Sequence, residues 1–197
     1  MILDWVPAHF PRDEWALARF DGTALYAWMW AHPGKQLLFM GGELAETREW
    51  SHDRGLDLGL LDDPRHAGVQ RLVGDLNAIQ AHHPALFASD GDPAGFAWLA
   101  VDDAAENVLA FERRLAGTDE VVICLANLKG LHAEGYRVGL ARAGRWRGLV
   151  TTDDARYGGS GSWVPHLEAE PVPWQGRDHS AVLTVPPLTV LYLIPDA

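Results

Sequence analysis

Ala181-Val182-Leu183-Thr184-Val185-Pro186-Pro187-Leu188-Thr189-Val190-Leu191-Tyr192-Leu193-Ile194 is the stretch that decides the fold class. Its β-branched, aliphatic and aromatic side chains suit a pleated, packed surface, and proline, which cannot donate to a ladder, belongs between strands rather than inside one. The stretch therefore predicts two short strands, residues 181–185 and 188–194, joined at Pro186-Pro187. Upstream, further β-rich runs stand between turn signals at residues 96–101, 108–113, 121–126, 136–140 and 146–151. About seven or eight short strands at this spacing predict an antiparallel sandwich over residues 91–197. Within it, Tyr157-Gly158-Gly159-Ser160-Gly161-Ser162 offers too little side chain to pack and reads as a flexible surface loop.

The pattern changes at Ser89-Asp90-Gly91-Asp92-Pro93, and we place a domain boundary there. Before it, Val69, Leu72, Val73, Leu76 and Ile79 recur at helical spacing, with Asp62 or Asp63 as N-cap, Pro64 in the first turn and Pro84 beyond the far end. A second helix is predicted over residues 24–32, stopped by Pro33-Gly34 and followed by the strand candidate Gln36-Leu37-Leu38-Phe39-Met40. Helix, strand, loop and helix in that order make an α/β unit. Residues 1–10 read as a short buried strand that leaves through Pro7 and Pro11. Asp4 and His9 stand at that exit, and Glu43, Glu46, Glu49 and Trp50 follow the second strand candidate. Both groups would lie at the C-terminal ends of parallel-type strands, where ligands collect in α/β folds.

The 197 residues are 48% hydrophobic and 22% charged, which places the chain in the globular class. With 27 acidic residues against 16 basic ones, the formal charge of -11 repels phosphate backbones and anionic lipid, so no nucleic acid and no membrane is expected as a partner. The single cysteine, Cys124, lies in the apolar run Val121-Val122-Ile123-Cys124-Leu125 and reads as a buried inert thiol. No apolar stretch reaches the roughly 20 residues of a membrane span, and Met1-Ile2-Leu3-Asp4 has no basic leader, so a cytoplasmic location is expected. Nucleotide, Walker, HExxH and GxSxG signatures do not occur. His82-His83 reads as a cation at a helix end, His52-Asp53 as part of a solvated loop, and the glycines of 158–161 do not open a helix, so no metal is expected.

Longer strings say more than spacing does. Leu3-Asp4-Trp5-Val6-Pro7-Ala8-His9-Phe10-Pro11, Trp28-Met29-Trp30-Ala31-His32-Pro33-Gly34-Lys35 and Leu38-Phe39-Met40-Gly41-Gly42-Glu43 resemble bacterial 1,4-α-glucan branching enzymes. So do Arg48-Glu49-Trp50, Tyr157-Gly158-Gly159-Ser160-Gly161 and Glu170-Pro171-Val172-Pro173-Trp174. The resemblance implies an α/β remnant of a (β/α)₈ barrel over residues 1–90 and an all-β C-terminal sandwich of the α-amylase type over residues 91–197. It also implies glycogen biosynthesis: an α-1,4 chain is cut and rejoined through an α-1,6 bond, with no cofactor. Such retaining chemistry uses a carboxylate nucleophile and a carboxylic acid about 5 Å apart.

A complete barrel takes roughly 250 residues, and the resemblance passes from the family's third strand at residues 3–11 to its seventh helix at Trp28. The family's catalytic Asp and Glu find no counterpart between, so no catalytic residue is assigned and the chain alone is expected to be inactive. Asp4 and His9 match a sugar-contacting motif, and together with Trp50 they are the candidate substrate-binding residues. Asp21-Gly22-Thr23-Ala24-Leu25-Tyr26 resembles one family string while Ala24-Leu25-Tyr26-Ala27-Trp28 resembles another, which points to an in-frame internal deletion. The expected partner is an α-glucan, with self-association through exposed barrel surfaces, since Trp28, Trp30, Leu37 and Phe39 would lack part of their packing. The alternative reading is a non-catalytic glucan-binding or partner-docking module with Trp146, Trp163 and Trp174 as sugar platforms.

Overall fold

A computed structural model describes residues 23–164 and 166–196. Asp4 and His9, and with them the strand expected at residues 1–10, lie outside the described residues.

Helix α1 (Thr23–Ala31) is rich in alanine and aromatic side chains and buries seven of its positions, among them Tyr26, Met29 and Trp30. A helix buried nearly all round needs cover on two sides, which the second helix and a β-sheet provide. Pro33 and Gly34, the latter at φ 116°, end it. Helix α2 (Pro64–His82) begins where predicted: the Asp63 carboxylate accepts from the Arg65 N–H at 2.9 Å, and Pro64 occupies the first turn. Val69, Leu72, Val73 and Leu76 form its buried stripe. Gly68 is required on this helix, because a Cβ there would stand 2.5 Å from the Tyr157 carbonyl oxygen. Its absence lets the 3₁₀ turn Ala155–Tyr157 lie against α2, where the Tyr157 hydroxyl donates to Asp75 at 2.6 Å.

Eight strands follow: β1 (Phe96–Asp103), β2 (Val108–Arg114), β3 (Val121–Asn127), β4 (Ala133–Leu140), β5 (Gly144–Thr151), β6 (Leu167–Ala169), β7 (His179–Val185) and β8 (Thr189–Pro195). They form a six-stranded sheet in the order β1-β2-β3-β8-β5-β6 and a two-stranded sheet β4-β7, with antiparallel pairing throughout. The expected antiparallel sandwich is present, and β6 is added at the edge. Alternation explains the layers. On β3, Val122, Cys124 and Ala126 face the helices while Val121, Ile123 and Leu125 face β4-β7. Both faces being covered, the strand reads as an unbroken apolar run. The molecule thus has three layers: helices, large sheet, small sheet.

No barrel is seen among the described residues. Residues 36–40, predicted as a strand, form none, and Leu37, Phe39 and Met40 are exposed. A strand requires a partner to satisfy its ladder, and none of the described strands pairs with this segment. Trp28 and Trp30 also depart from expectation. Trp30 is 3% exposed and donates through Nε1 to Asn77 at 3.0 Å, and the Trp28 ring meets Phe111 of β2 edge-on at 4.8 Å. Helix α2 and the large sheet together supply their packing.

The core runs unbroken past residues 89–93, where the pattern changes. Arg113 of β2 is fully buried, donates to the Ala31 carbonyl at 2.7 Å and to that of Gly95 at 3.4 Å, and pairs with Asp90. Burial lowers its pKa, and the Asp90 carboxylate opposes the shift. From β8 the Tyr192 hydroxyl donates to the Ala27 carbonyl. Strand and helix are therefore locked by buried polar bonds as well as by apolar contact.

Candidate functional site

The sequence-selected glutamates and Trp50 lie on the loop over residues 41–58. Gly41 at φ 88° starts it, and a side chain there would both meet Glu46 Cβ at 2.9 Å and adopt a left-handed backbone. The turn closes through the Glu46 N–H to the Gly41 carbonyl at 3.0 Å. Helix α1 holds it through the Tyr26 hydroxyl, which donates to the Gly42 carbonyl. Helix α2 holds it through His66, whose Nδ1 lies 2.7 Å from the Leu44 carbonyl oxygen.

Glu46 is 9% exposed. Its carboxylate accepts from Arg48 Nε at 2.9 Å and Nη2 at 3.3 Å, and from the Asp57 N–H at 3.4 Å. Arg48 reaches on to Asp57 Oδ2 at 3.0 Å, so one guanidinium joins two carboxylates. The Arg48 hydrogen bond, ahead of an opposing desolvation, holds the Glu46 carboxyl below its usual range. A general acid must keep its proton near neutral pH and a nucleophile must have a free oxygen. Glu46, its pKa lowered, does not meet the first condition, and both its oxygens are engaged by Arg48 and the Asp57 N–H, so it works as a clamp.

Trp50 is 45% exposed and packs edge-on against Phe39 at 5.7 Å. Beside it a shallow hollow is lined by Met40, Glu46, Arg48, Trp50, Arg54 and Leu56. Glu49 is exposed at its rim, where its carbonyl accepts from Arg54 at 3.2 Å, and Glu43 is half-buried on the turn Gly42–Leu44. The arrangement can offer a ring face and a fixed pattern of charges to a ligand. Sequence reasoning missed the role of Arg48 and Asp57, although a Glu-x-Arg pair within a turn is a signal for such a clamp.

Of the three sandwich tryptophans, Trp146 is fully buried, with Nε1 donating to the Arg142 carbonyl at 3.2 Å, and cannot be a sugar platform. Trp163 and Trp174 are 45% and 48% exposed. The loop after Tyr157 is bound rather than loose: the Asp153 carboxylate accepts from the Ser160 N–H at 2.9 Å, its hydroxyl at 2.6 Å and the Ser162 N–H at 3.2 Å, and Tyr157 is buried. His52 and Asp53 form an exposed pair at 3.2 Å. Among the described residues no three His, Cys, Asp or Glu side chains are grouped to hold a metal ion, and no helix is long and apolar enough to cross a membrane.

Comparison with known proteins agrees with the layered β architecture. The chain is 48% identical over 186 residues to the 1,4-alpha-glucan branching enzyme GlgB of Myxococcus xanthus, covering 94% of this chain and 25% of that protein. It is 51% identical over 169 residues to the enzyme of the same name from Bordetella pertussis, covering 85% of this chain and 23% of that one. The chain thus spans about a quarter of the length of these relatives. Among solved structures, the alpha-amylase from H. orenii superposes with a TM-score of 0.52 at 15% identity, over 90% of this chain and 36% of that one. An inactive double mutant of MutB in complex with isomaltulose superposes with a TM-score of 0.54 at 14% identity, over 88% and 38%. Residues 98–196, running from within β1 to the end of β8, match the family described as alpha amylase, C-terminal all-beta domain, and the chain belongs to that family.

Proposed function

We propose that the chain is the C-terminal part of a cytoplasmic 1,4-α-glucan branching enzyme, and that its own contribution is to hold α-glucan and support the catalytic fold rather than to transfer sugar. The observation that carries this reading is the 48% identity to a branching enzyme spread over 94% of the chain. The state of Glu46 supports the division of labour. Retaining transfer needs two carboxyl groups about 5 Å apart, one attacking and one protonated, whereas Glu46 and Asp57 are both tied to one arginine, Arg48. The exposed apolar loop around Trp50 is then the surface that the remaining three quarters of such an enzyme, or a second copy of this chain, covers.

The test is co-sedimentation of the purified chain with glycogen, together with iodine absorbance and reducing-end counts on amylose before and after debranching. Binding without new α-1,6 linkages is expected. New linkages that disappear in Glu43→Gln or Asp4→Asn would overturn the division of labour, and failure to bind any α-glucan would overturn the glucan assignment.

A further inference from the structure

The last turn of α1 runs into His32, whose backbone N–H reaches back to the Trp28 and Met29 carbonyls at 3.2 and 3.3 Å. Its ring lies against the face of the large sheet on which β1 and β2 pair Phe96 with Arg113 and Trp98 with Phe111. The ring centroids of Trp28 and Phe96 stand 5.8 Å from it, that of Phe111 5.3 Å and that of Trp98 6.2 Å. In this aromatic setting His32 Nε2 is sealed from solvent, and among the described residues it is the one buried side-chain nitrogen or oxygen without a hydrogen-bond partner.

An orphaned Nε2 suits only one charge state. The neutral imidazole can hold its hydrogen on Nδ1 and leave Nε2 a bare lone pair, whereas the imidazolium carries a hydrogen on both nitrogens. A buried N–H without an acceptor and a buried charge without a counter-ion both destabilise the fold. The ionisable groups that face this pocket offer no relief. Arg113 of β2 brings a guanidinium, which donates to the Ala31 carbonyl beside His32 at 2.7 Å. Asp90, from the turn before β1, has both oxygens engaged, Oδ1 by Arg113 and Oδ2 by the Gly34 N–H at 3.0 Å. Behind Arg113, burial pushes up the Cys124 thiol of β3 and the Tyr192 hydroxyl of β8, so both stay neutral. β1 contributes rings alone at this point, α2 presents the uncharged Asn77 to Trp30, and Lys35 on the following segment is exposed. Burial, and after it the Arg113 charge, hold the His32 imidazole below its ordinary range.

What His32 docks reaches beyond its own turn. Helix α1 holds the loop over residues 41–58 through the Tyr26 hydroxyl on the Gly42 carbonyl, and residues 33–40, which join the two, form neither helix nor strand. We propose that His32 is a proton-operated latch: the neutral ring docks the end of α1 on the sheet, and protonation loosens that dock and, through Tyr26, the loop that carries Trp50. Its effect has one sign. The dock is at full strength above the unfolded value of about 6.5 and weakens as pH falls from there towards the folded value. The Glu46 carboxylate responds lower, below about 4.3.

Hydrogen exchange of the full chain between about pH 7.5 and 5, corrected for the intrinsic rate, tests this, with the His32 ring followed by NMR over the same range. Protection of α1 and of residues 41–58 should fall by up to about tenfold for each pH unit below about 6.5, the limit that one proton sets. His32→Phe keeps a ring and cannot titrate, and should flatten the profile. His32→Gln should flatten it too, at lower overall protection. If neither variant folds, the wild-type ring decides: titration below about 6.5 supports the latch, and titration at or above it overturns it. A wild-type profile that is flat, or that rises in acid because the rings hold the imidazolium as a cation–π cage, overturns it as well. So does a slope that survives in His32→Phe, and loss of that slope in His66→Gln would place the proton at the Leu44 anchor instead.

Discussion

Strand β3 and the loop over residues 36–58 are both rich in apolar side chains, and they end in opposite environments. Every residue of β3 is buried, because helices cover one face and β4-β7 the other. The loop exposes Leu37, Phe39, Met40, Trp50, Leu56 and Leu58, the last at 65%. Hydrophobicity is a property of the residue, whereas burial is a property of the layers available to cover it. The loop keeps its shape by other means: one positive-φ glycine, two helix anchors and a carboxylate shared with an arginine.

Breaking the covered side should cost most. Arg113→Met leaves Asp90 and two carbonyls without their buried partner, and truncating one side of a buried pair costs about 3–5 kcal/mol. The expected result is a marked fall in the urea midpoint, with α1 exchanging its amides as the sandwich does. On the loop, Glu46→Gln should cost about 1 kcal/mol or less because Arg48 is 47% exposed, and hydrogen exchange should quicken over residues 41–58 while α2 is unaffected. The pH dependence has a definite sign. Because the folded Glu46 pKa is depressed, its stabilisation is full above the unfolded value near 4.3 and is lost as pH falls through the folded one. Wild-type loop protection should therefore drop in acid, and Glu46→Gln should remove that dependence. Leu58→Ser should matter least, within about 0.5 kcal/mol by thermal melting. A larger loss would mean that something covers the loop in solution, and would end the contrast with β3.

What could be read from the residues follows the same line. Val69, Leu72, Val73 and Leu76 announced α2 because one stripe faces one core, and Asp63-Pro64 marked its start because capping is local. The long strands were legible from branched and aromatic runs. Residues 36–40 misled, since an apolar run specifies a strand only where a neighbour supplies hydrogen bonds. β6 escaped because three residues at an edge are too few to show alternation. At the site, Trp50 and the glutamates could be picked out, but the difference between Glu46 as reagent and Glu46 as clamp depends on Arg48 and Asp57 converging from two points in the chain. The close approach of Val164 to Gly148, whose N–H donates to the Val164 carbonyl at 3.1 Å and where a Cβ would stand 2.5 Å from that oxygen, was equally hidden in the sequence.

The position of β8 governs the order in which the molecule can be made. It lies between β3 and β5 although it follows every other strand along the chain. Synthesis delivers the amino end first. β1, β2 and β3 can zip into a meander as they emerge, but nothing joins them to β5 until residues 189–195 arrive. Until then the edge of β3 from Ile123 to Asn127 is open, and α1 lacks the Tyr192 hydroxyl that reaches the Ala27 carbonyl, a bond spanning 165 residues. A chain made only as far as Leu188 holds two half-sheets with bare edges, so assembly of the large sheet waits for the strand that emerges after the other seven described, and the nascent chain depends until then on whatever shields those edges.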